Sequence, residues 1–408
     1  MQYTYVGIDS HKSTHTAVFL DFFFDRLGEI TFENMPSKFG NFLAEADKLK
    51  MEGTILLFGL EDVSAYGRTL TVFLKNNGQA VKHVNPIFVA RERRNQTITQ
   101  KTDSIDAECA ARVLLSKFHE LPDAHPDDKY WVLRTLVVRR DFITRNNISL
   151  KNHLHSLLTH HYPNYRSFFY ETDGPTALAF FMWYPSPSTL EGVTVNELAE
   201  FLRGPSNGKL GEERAQEILD SLQDTTVPFQ DLRDDAVQST IRQIQYNQRE
   251  LDRLDITLAD VLAGFETTLT SMTGLDVVSA SQILSCIRDI KRFPTPAKLA
   301  QYSGVAPVSY SSGKKDLTFS NKRGNRELNS LLYNLACRLA MTVGPTNKVI
   351  NSFLYEYYHR KMSEGKTKRQ ALKCVQRRLV NIIWRMLTYH EKYANPPTFD
   401  LPKKEEKD

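Results

Sequence analysis

The fold class this sequence predicts is α/β plus α: an amino-terminal mixed sheet with flanking helices, then a longer region built almost wholly of helix. Three features point there. Strand and helix patterns alternate from Tyr3 to Phe118, two heptad series of branched aliphatic residues follow Pro126, and helical periodicity resumes from Glu266 to Leu387. Three strands in succession, then strand–helix alternation, form the pattern of a mixed sheet covered by helices.

Tyr3–Asp9 and His15–Phe22 are rich in β-branched and aromatic residues and read as strands. Gly28–Glu33 adds a third, paired with them through the turn region Phe24–Leu27, and a helix is expected from Lys38 to Lys50. Thr54–Leu60, TILLFGL, is a continuous apolar run of the kind buried on both faces of a sheet. A helix around Tyr66–Asn76, a short strand at Ala80–Val84 and a helix from Ser104 to Phe118 complete a first domain, residues 1–125.

Beyond it, Leu136, Ile143, Leu150 and Leu157 recur at heptad spacing, with Leu133 and Leu154 between them. Val237, Ile244, Leu251 and Leu258 do the same, with Ile241 and Leu262 between them. Polar Arg140, Asn147, Gln248 and Asp255 interrupt both seams. Two long amphipathic helices paired as an antiparallel coiled coil are expected. They frame a linker, residues 126–265, with an irregular insertion near 162–208 that is rich in aromatics, proline and glycine. Residues 266–395 then form a helical domain broken by the Gly/Ser/Lys-rich stretch Ser303–Gly324, and 396–408 a flexible charged tail.

Hydrophobic content of 41% with 25% charge is ordinary for a globular chain. No apolar run approaches the ~18 residues of a membrane span. Met1–Asp9 runs straight into a strand pattern instead of a signal peptide. Cys109, Cys286, Cys337 and Cys374 lie far apart, with no CxxC and no histidine at ligand spacing. That argues against a disulfide framework or zinc site and fits a reducing, prokaryotic cytoplasm. The net charge of +4 says little, but Lys348–Arg385 carries ten Lys/Arg against Glu356 and Glu364. Such a local excess is the footprint of a phosphate-neutralising surface, although a solvated helix face explains it equally well.

Asp9 ends the first strand in GIDSHK, Glu61 follows the buried strand in FGLED, and Asp103 and Asp106 open a helix in KTDSIDA. A spacing of three puts the last two on one helix face. Strand ends and a helix packed on the sheet converge on one end of a domain, and four carboxylates meeting there repel unless cations neutralise them. Hard oxygen ligands of this kind suit Mg²⁺ or Mn²⁺. Two such ions ~3.5–4 Å apart serve phosphodiester transfer by activating the nucleophile and stabilising the leaving oxygen. Singly, Asp9 reads as well as a turn residue, Glu61 as a surface acid and Asp103 as a helix N-cap. The order of the four is more specific than its parts, with Asp62 the alternative to Glu61. The arrangement resembles the ribonuclease-H-like fold and, within it, RuvC-like resolvase nucleases of the DEDD class. Actin-like ATPases and sugar kinases also begin with a GID-type strand, but their glycine-rich phosphate loops have no counterpart after Glu61.

A second block, Tyr302–Leu332, places Ser309, Ser311 and Ser312 beside Gly313, whose small size lets a phosphate approach closely. Lys314, Lys315, Lys322, Arg323 and Arg326 follow within one loop, with Asn325 among them. A serine hydroxyl needs activation to act as a nucleophile, and cations spread the charge that develops on a phosphate. A plain flexible loop is the alternative. Upstream, Leu269–Leu284 has the outline of a helix–hairpin–helix around Gly274, with Asp276 where a second glycine normally stands.

Together these motifs resemble transposases of the insertion-sequence "one-ten" family, relatives of the Piv invertase and known as bridge-RNA-guided recombinases. GIDSHK, the Glu61 strand end, Asn85-Pro86 and KTDSIDA carry the amino-terminal likeness; the hairpin region, GVAPVSYSSG and NKRGNRELNSLL carry the other. The resemblance implies a metal-binding tetrad of Asp9, Glu61, Asp103 and Asp106. It also implies a nucleophile at the serine before glycine, Ser312, with Ser311 as the alternative. The implied nucleic-acid contacts are Gly274, Gly313, Lys314, Lys315, Lys322, Arg323, Asn325 and Arg326. It further implies a covalent phosphoserine intermediate, donor and target DNA, a noncoding bridge RNA, and a dimer or tetramer with a composite site set by the coiled coil. Two other functions fit the residues: a metal-dependent branched-DNA nuclease using water, and a non-enzymatic RNA/DNA-binding protein.

Overall fold

The computed structural model describes the chain except residues 1, 62–64, 97–99, 125–127, 225–230, 313–314, 320, 322–323, 344–347 and 395–408. At 128, 223–224, 231–232, 309–312, 315–318 and 343 it describes the backbone alone. It divides into two units, Met1–Val132 and Leu133–Asp408. Among the described residues no helix is long and apolar enough to cross a membrane. All four cysteines are free.

The first unit runs β1 (Tyr3–Ser10), β2 (Thr14–Leu20), β3 (Arg26–Glu33), α1 (Pro36–Leu49), β4 (Ile55–Leu60), α2 (Arg68–Asn76), β5 (Ala80–His83), α3 (Pro86–Asn95) and α4 (Asp103–Lys117). The sheet order is β3-β2-β1-β4-β5. β1, β2 and β3 pair antiparallel, whereas β4 runs parallel to β1 and β5 parallel to β4. The mixed sheet expected from the sequence is therefore present. α3 is an addition. Its start carries helix signals, Asn85 as N-cap accepting from the Ile87 amide at 2.9 Å and Pro86 in the first turn. Its charged run, ARERRN, conceals any apolar period.

Period-two alternation sorts β1 between two cores. Val6 and Ile8 pack with Phe39, Phe42, Phe58 and Leu70, whereas Tyr5 lies with Leu57, Cys109 and Leu114. Gly7 shares the second face, and α4 crosses β1 there. A Cβ on Gly7 would lie 2.1 Å from the Ala107 carbonyl oxygen and 2.2 Å from the Ala111 amide nitrogen. Gly7, Ala107 and Ala111 thus let helix and strand backbones approach directly.

The second unit carries α5 (Asp128–His161), which begins just before the boundary, then α6 (Tyr165–Phe168), α7 (Pro175–Trp183), α8 (Val195–Arg203), α9 (Glu212–Asp220) and α10 (Asp231–Ala263). α5 and α10 pair antiparallel: Arg140 binds Asp255 through two hydrogen bonds of 2.5 and 3.1 Å, and Asn247 donates to Asn146 at 3.2 Å. Leu133 and Val137 share a core with Leu258 and Leu262, and Leu154 and Leu158 share another with Val237 and Ile241. Two of the polar seam residues, Arg140 and Asp255, therefore neutralise each other.

The expected irregular insertion is instead helical with its own core. Tyr162, Tyr165, Phe168, Phe169, Phe180 and Phe181 are buried together, and their neighbouring rings meet edge-on or stacked. Pro175 opens α7, and Thr194 with Glu197 forms a capping box on α8. Residues that read as loop formers are in fact helix starts, and helices of nine residues or fewer are too short to show a period.

The remainder comprises α11 (Val277–Ile287), α12 (Pro296–Tyr302), a hairpin of β6 (Val308–Ser312) and β7 (Lys315–Phe319), α13 (Arg326–Ala340), α14 (Ser352–Ser363) and α15 (Lys368–Tyr389). Leu284, Leu328, Leu335, Leu339, Val375, Leu379 and Ile383 belong to one apolar core. The Ser303–Gly324 stretch read as a loop thus contains a two-stranded hairpin.

Candidate active site

β1 and β4 are parallel neighbours whose register ends at Ile8 opposite Leu60, so Asp9 and Glu61 are the next residues of both chains at the carboxyl edge of the sheet. α4 starts over the same edge, on the face toward which Asp9 alternates. Its N-cap is Thr102, whose hydroxyl accepts from the Ile105 amide at 3.2 Å. Asp103 is thus the first residue of the helix, not its cap, and Asp106 lies one turn on. Asp9 and Asp106 are buried, Glu61 half-buried and Asp103 exposed. Asp62 lies outside the described residues.

His11, just past β1, completes the group. Its Nε2 lies 3.2 Å from Asp9 Oδ2 and 3.1 Å from Asp103 Oδ1. Potential ligand atoms of Asp9, His11 and Asp103 all fall within 4.8 Å of one another. Asp106 is engaged differently. Arg93 of α3 bonds its Oδ1, and Lys101 Nζ stands 3.9 Å from Oδ2. His83 Nε2 lies 3.2 Å from the Glu61 backbone oxygen.

The acids form one electrostatic neighbourhood. Burial, reinforced by Asp9 and Asp106 and opposed by Lys101 and Arg93, pushes the Glu61 carboxyl up to about 7. Asp9 is also raised, first by burial and then by Asp106 and Asp103, with His11 opposing. Carboxyls held protonated in this way mark a place where positive charge is wanted. Two carboxylates and an imidazole at this spacing are a donor set that fits a divalent ion. His11, Arg93 and Lys101 escaped the sequence reading. The first stands inside GIDSHK, where its proximity to two acids was a usable signal; nothing in the sequence brings Arg93 to Asp106.

Ser312 is the last residue of β6 and pairs with Lys315, while Ser311 pairs with Asp316. Gly313, Lys314, Lys322 and Arg323 lie outside the described residues. Polar contacts hold the two ends of the hairpin together. The Asn325 amide donates to the Tyr302 carbonyl at 2.6 Å, Asn325 Nδ2 to Tyr302 Oη at 3.0 Å, and Asn329 Nδ2 to the Ser303 carbonyl at 2.7 Å. Asn325 Oδ1 also caps α13 by accepting from the Leu328 amide at 2.9 Å. Asn325 is thus occupied in shaping the block, and Arg326 beside it is exposed. Asn329→Ala leaves the buried Ser303 carbonyl without this donor, so it is expected to lower unfolding stability by about 1–3 kcal/mol. Denaturant titration checks this, and an unchanged midpoint removes the clamp.

The helix–hairpin–helix outline is corrected by the structure, because a three-residue 3-10 turn, Leu269–Ser271, stands where the first helix was expected. Gly274 has φ of +92°, and a Cβ there would lie 2.3 Å from Leu339 Cδ2. Its carbonyl accepts from Arg338. Asp276, in place of the second glycine, caps α11 by accepting from the Ser279 amide at 2.7 Å.

Comparison with known proteins places both halves. Residues 6–163 match the transposase family model DEDD_Tnp_IS110, and residues 266–350 match the model described as transposase IS116/IS110/IS902 family. The chain is 25% identical to the 43.6 kDa protein of insertion element IS110 from Streptomyces coelicolor, covering 88% of this chain and 89% of that protein. It is 24% identical to the 44.8 kDa protein of insertion element IS116 from Streptomyces clavuligerus, over 96% of each. Likewise it is 24% identical to the 42 kDa protein of insertion element IS900 from Mycobacterium paratuberculosis, over 96% of this chain and 97% of that one. With both family models matched in order, the chain belongs to the IS110 family of transposases, enzymes of DNA transposition.

Proposed function

We propose that this transposase cuts and rejoins DNA through a covalent phosphoserine intermediate, with Ser312 as nucleophile and Asp9, Glu61, Asp103 and Asp106 as the metal-dependent half of the machinery. The convergence of Asp9, Glu61, Asp103 and Asp106 on one sheet edge, with Glu61 pushed up to about 7, carries the reading. A Mg²⁺ or Mn²⁺ ion bound there supplies Lewis-acid stabilisation of charge on the phosphate oxygens. In the chemical step Ser312 Oγ bonds to phosphorus, the bond from phosphorus to the 3′ oxygen breaks, and the serine proton is delivered to that departing oxygen. The ester conserves the energy of the broken bond, so attack by another 3′-hydroxyl restores the DNA and frees the serine. The ribonuclease-H-like reading of the first unit is supported by its three antiparallel strands followed by two parallel ones.

Arg326, Lys315 and the basic Lys348–Arg385 region are proposed phosphate contacts, and family resemblance supports a noncoding bridge RNA and a homo-oligomer as partners. Gly313, Lys314, Lys322 and Arg323 belong to the same proposed contact set. DNA carrying a nick that lets the cleaved end diffuse away is expected to trap a protein–DNA adduct with wild-type protein and divalent ion. Asp9→Asn, which removes a ligand charge, is expected to trap none. Adduct formation without any divalent ion contradicts the reading.

The raised carboxyl has a pH signature of definite sign. Between its ordinary value of 4.5 and about 7, folded Glu61 holds a proton that the unfolded chain has released. Stability of the metal-free protein from this group is therefore greatest at low pH and declines as pH rises toward 7. A metal ion must displace the same proton. Its affinity is expected to rise by up to about tenfold per pH unit below 7 and to level off above. Isothermal titration with Mn²⁺ at several pH values checks this, and a flat profile below 7 contradicts it.

A further inference from the structure

We propose that the carboxylate site takes a single divalent ion, held among Asp9, His11 and Asp103, and that Arg93 occupies the second cation position beside Asp106. The proposal rests on the metal-dependent reading above and departs from a two-ion expectation. Around one ion with bonds of ~2.1 Å, opposite ligand atoms stand about 4.2 Å apart. The 4.8 Å spread of the Asp9, His11 and Asp103 atoms matches one such shell before it contracts onto its ion. Each carboxylate there lies against an imidazole nitrogen, at 3.2 and 3.1 Å, and a nitrogen donor favours Mn²⁺ over Mg²⁺.

The other half of the site is already filled. Asp106 is only 10% exposed in its side chain, and the Arg93 guanidinium, 23% exposed, bonds it directly, with Lys101 Nζ at 3.9 Å from its other oxygen. Arginine stays charged at any working pH, so a second ion has to displace it rather than neutralise it. Displacement exchanges a charge-assisted hydrogen bond in a sheltered place for ligation of an ion that already repels its neighbour. Arg93 is carried by α3, whose close packing on α4 keeps the guanidinium over Asp106.

Titration of the metal-free full-length chain with Mn²⁺, counting free ion by electron paramagnetic resonance, reads the stoichiometry without reference to activity. Wild type is expected to bind one ion per chain. Arg93→Met, which keeps the stem and removes the charge, is expected to take up a second. Arg93→Lys, which keeps a cation there, is expected to stay at one. His11→Ala is expected to weaken the single site by about tenfold or more, the scale for losing one contact at a metal centre. Two ions in wild type overturn the proposal, and so does one ion in both wild type and folded Arg93→Met. No ion in wild type overturns instead the metal-dependent reading beneath it.

Discussion

Ser312→Ala is expected to lower DNA strand cleavage by at least about 10³-fold and to abolish the covalent adduct, whereas Ser311→Ala retains both. The size follows from the chemistry: without the hydroxyl there is no oxygen to form the phosphate ester, and water is neither held nor aligned in its place. The two serines are separable because adjacent strand residues alternate between faces, and the register pairs Ser312 with Lys315 but Ser311 with Asp316. A phosphate is therefore better received at the Ser312 pair than beside an acid. Mass spectrometry of the trapped adduct after proteolysis identifies the modified serine. A water-using nuclease is distinguished at once, since it cuts equally well in both variants and leaves no adduct.

Gly7→Ala is expected to destabilise the first unit by about 3 kcal/mol, the upper part of the overpacking range, and to cost activity with it. The added methyl group meets backbone on every side: Ala107 O at 2.1 Å, Ala111 N at 2.2 Å and Ala111 Cα at 2.8 Å. No rotamer relieves such contacts, so α4 must lift from β1. β1 carries Asp9 and α4 carries Asp103 and Asp106, so the shift opens the acid cluster as well. Gly40→Ala is the matched control, in the interior of α1 with nothing within 4 Å of the added carbon. That change is expected to be neutral or stabilising by about 0.5–1 kcal/mol. Chemical denaturation of both variants checks the contrast, and equal midpoints contradict it.

Much of this was legible in the sequence where one period dominates. The alternation of Tyr3–Asp9 and the apolar run before Glu61 locate the strands, and the heptads at Leu133–Leu158 and Val237–Leu262 locate the two long helices. Short elements were not. In α7 and α8 the proline and threonine that look like loop residues are the helix starts, and the aromatic burial of Phe168, Phe180 and Phe181 is a tertiary fact. Within the site, motif order brought the four acids together on paper, and the structure adds what neutralises them. His11 sits two residues from Asp9 and was in plain view. Arg93 reaches Asp106 only because α3 packs on α4, which no spacing encodes. Asn325 reads as a phosphate contact, yet its carbonyl is taken by the start of α13 and its amide by Tyr302.

The central claim, that the carboxylate cluster and Ser312 belong to one DNA-cutting and rejoining reaction, is tested most directly in a bacterial host carrying the element with its flanking DNA. Amplification across the junction of excised circles reads the complete reaction. Wild type and Ser311→Ala are expected to give the junction, and Asp103→Asn and Ser312→Ala, both expressed to the same level, none. Circles persisting in Ser312→Ala contradict the account, and loss in Ser311→Ala instead moves the nucleophile one residue back.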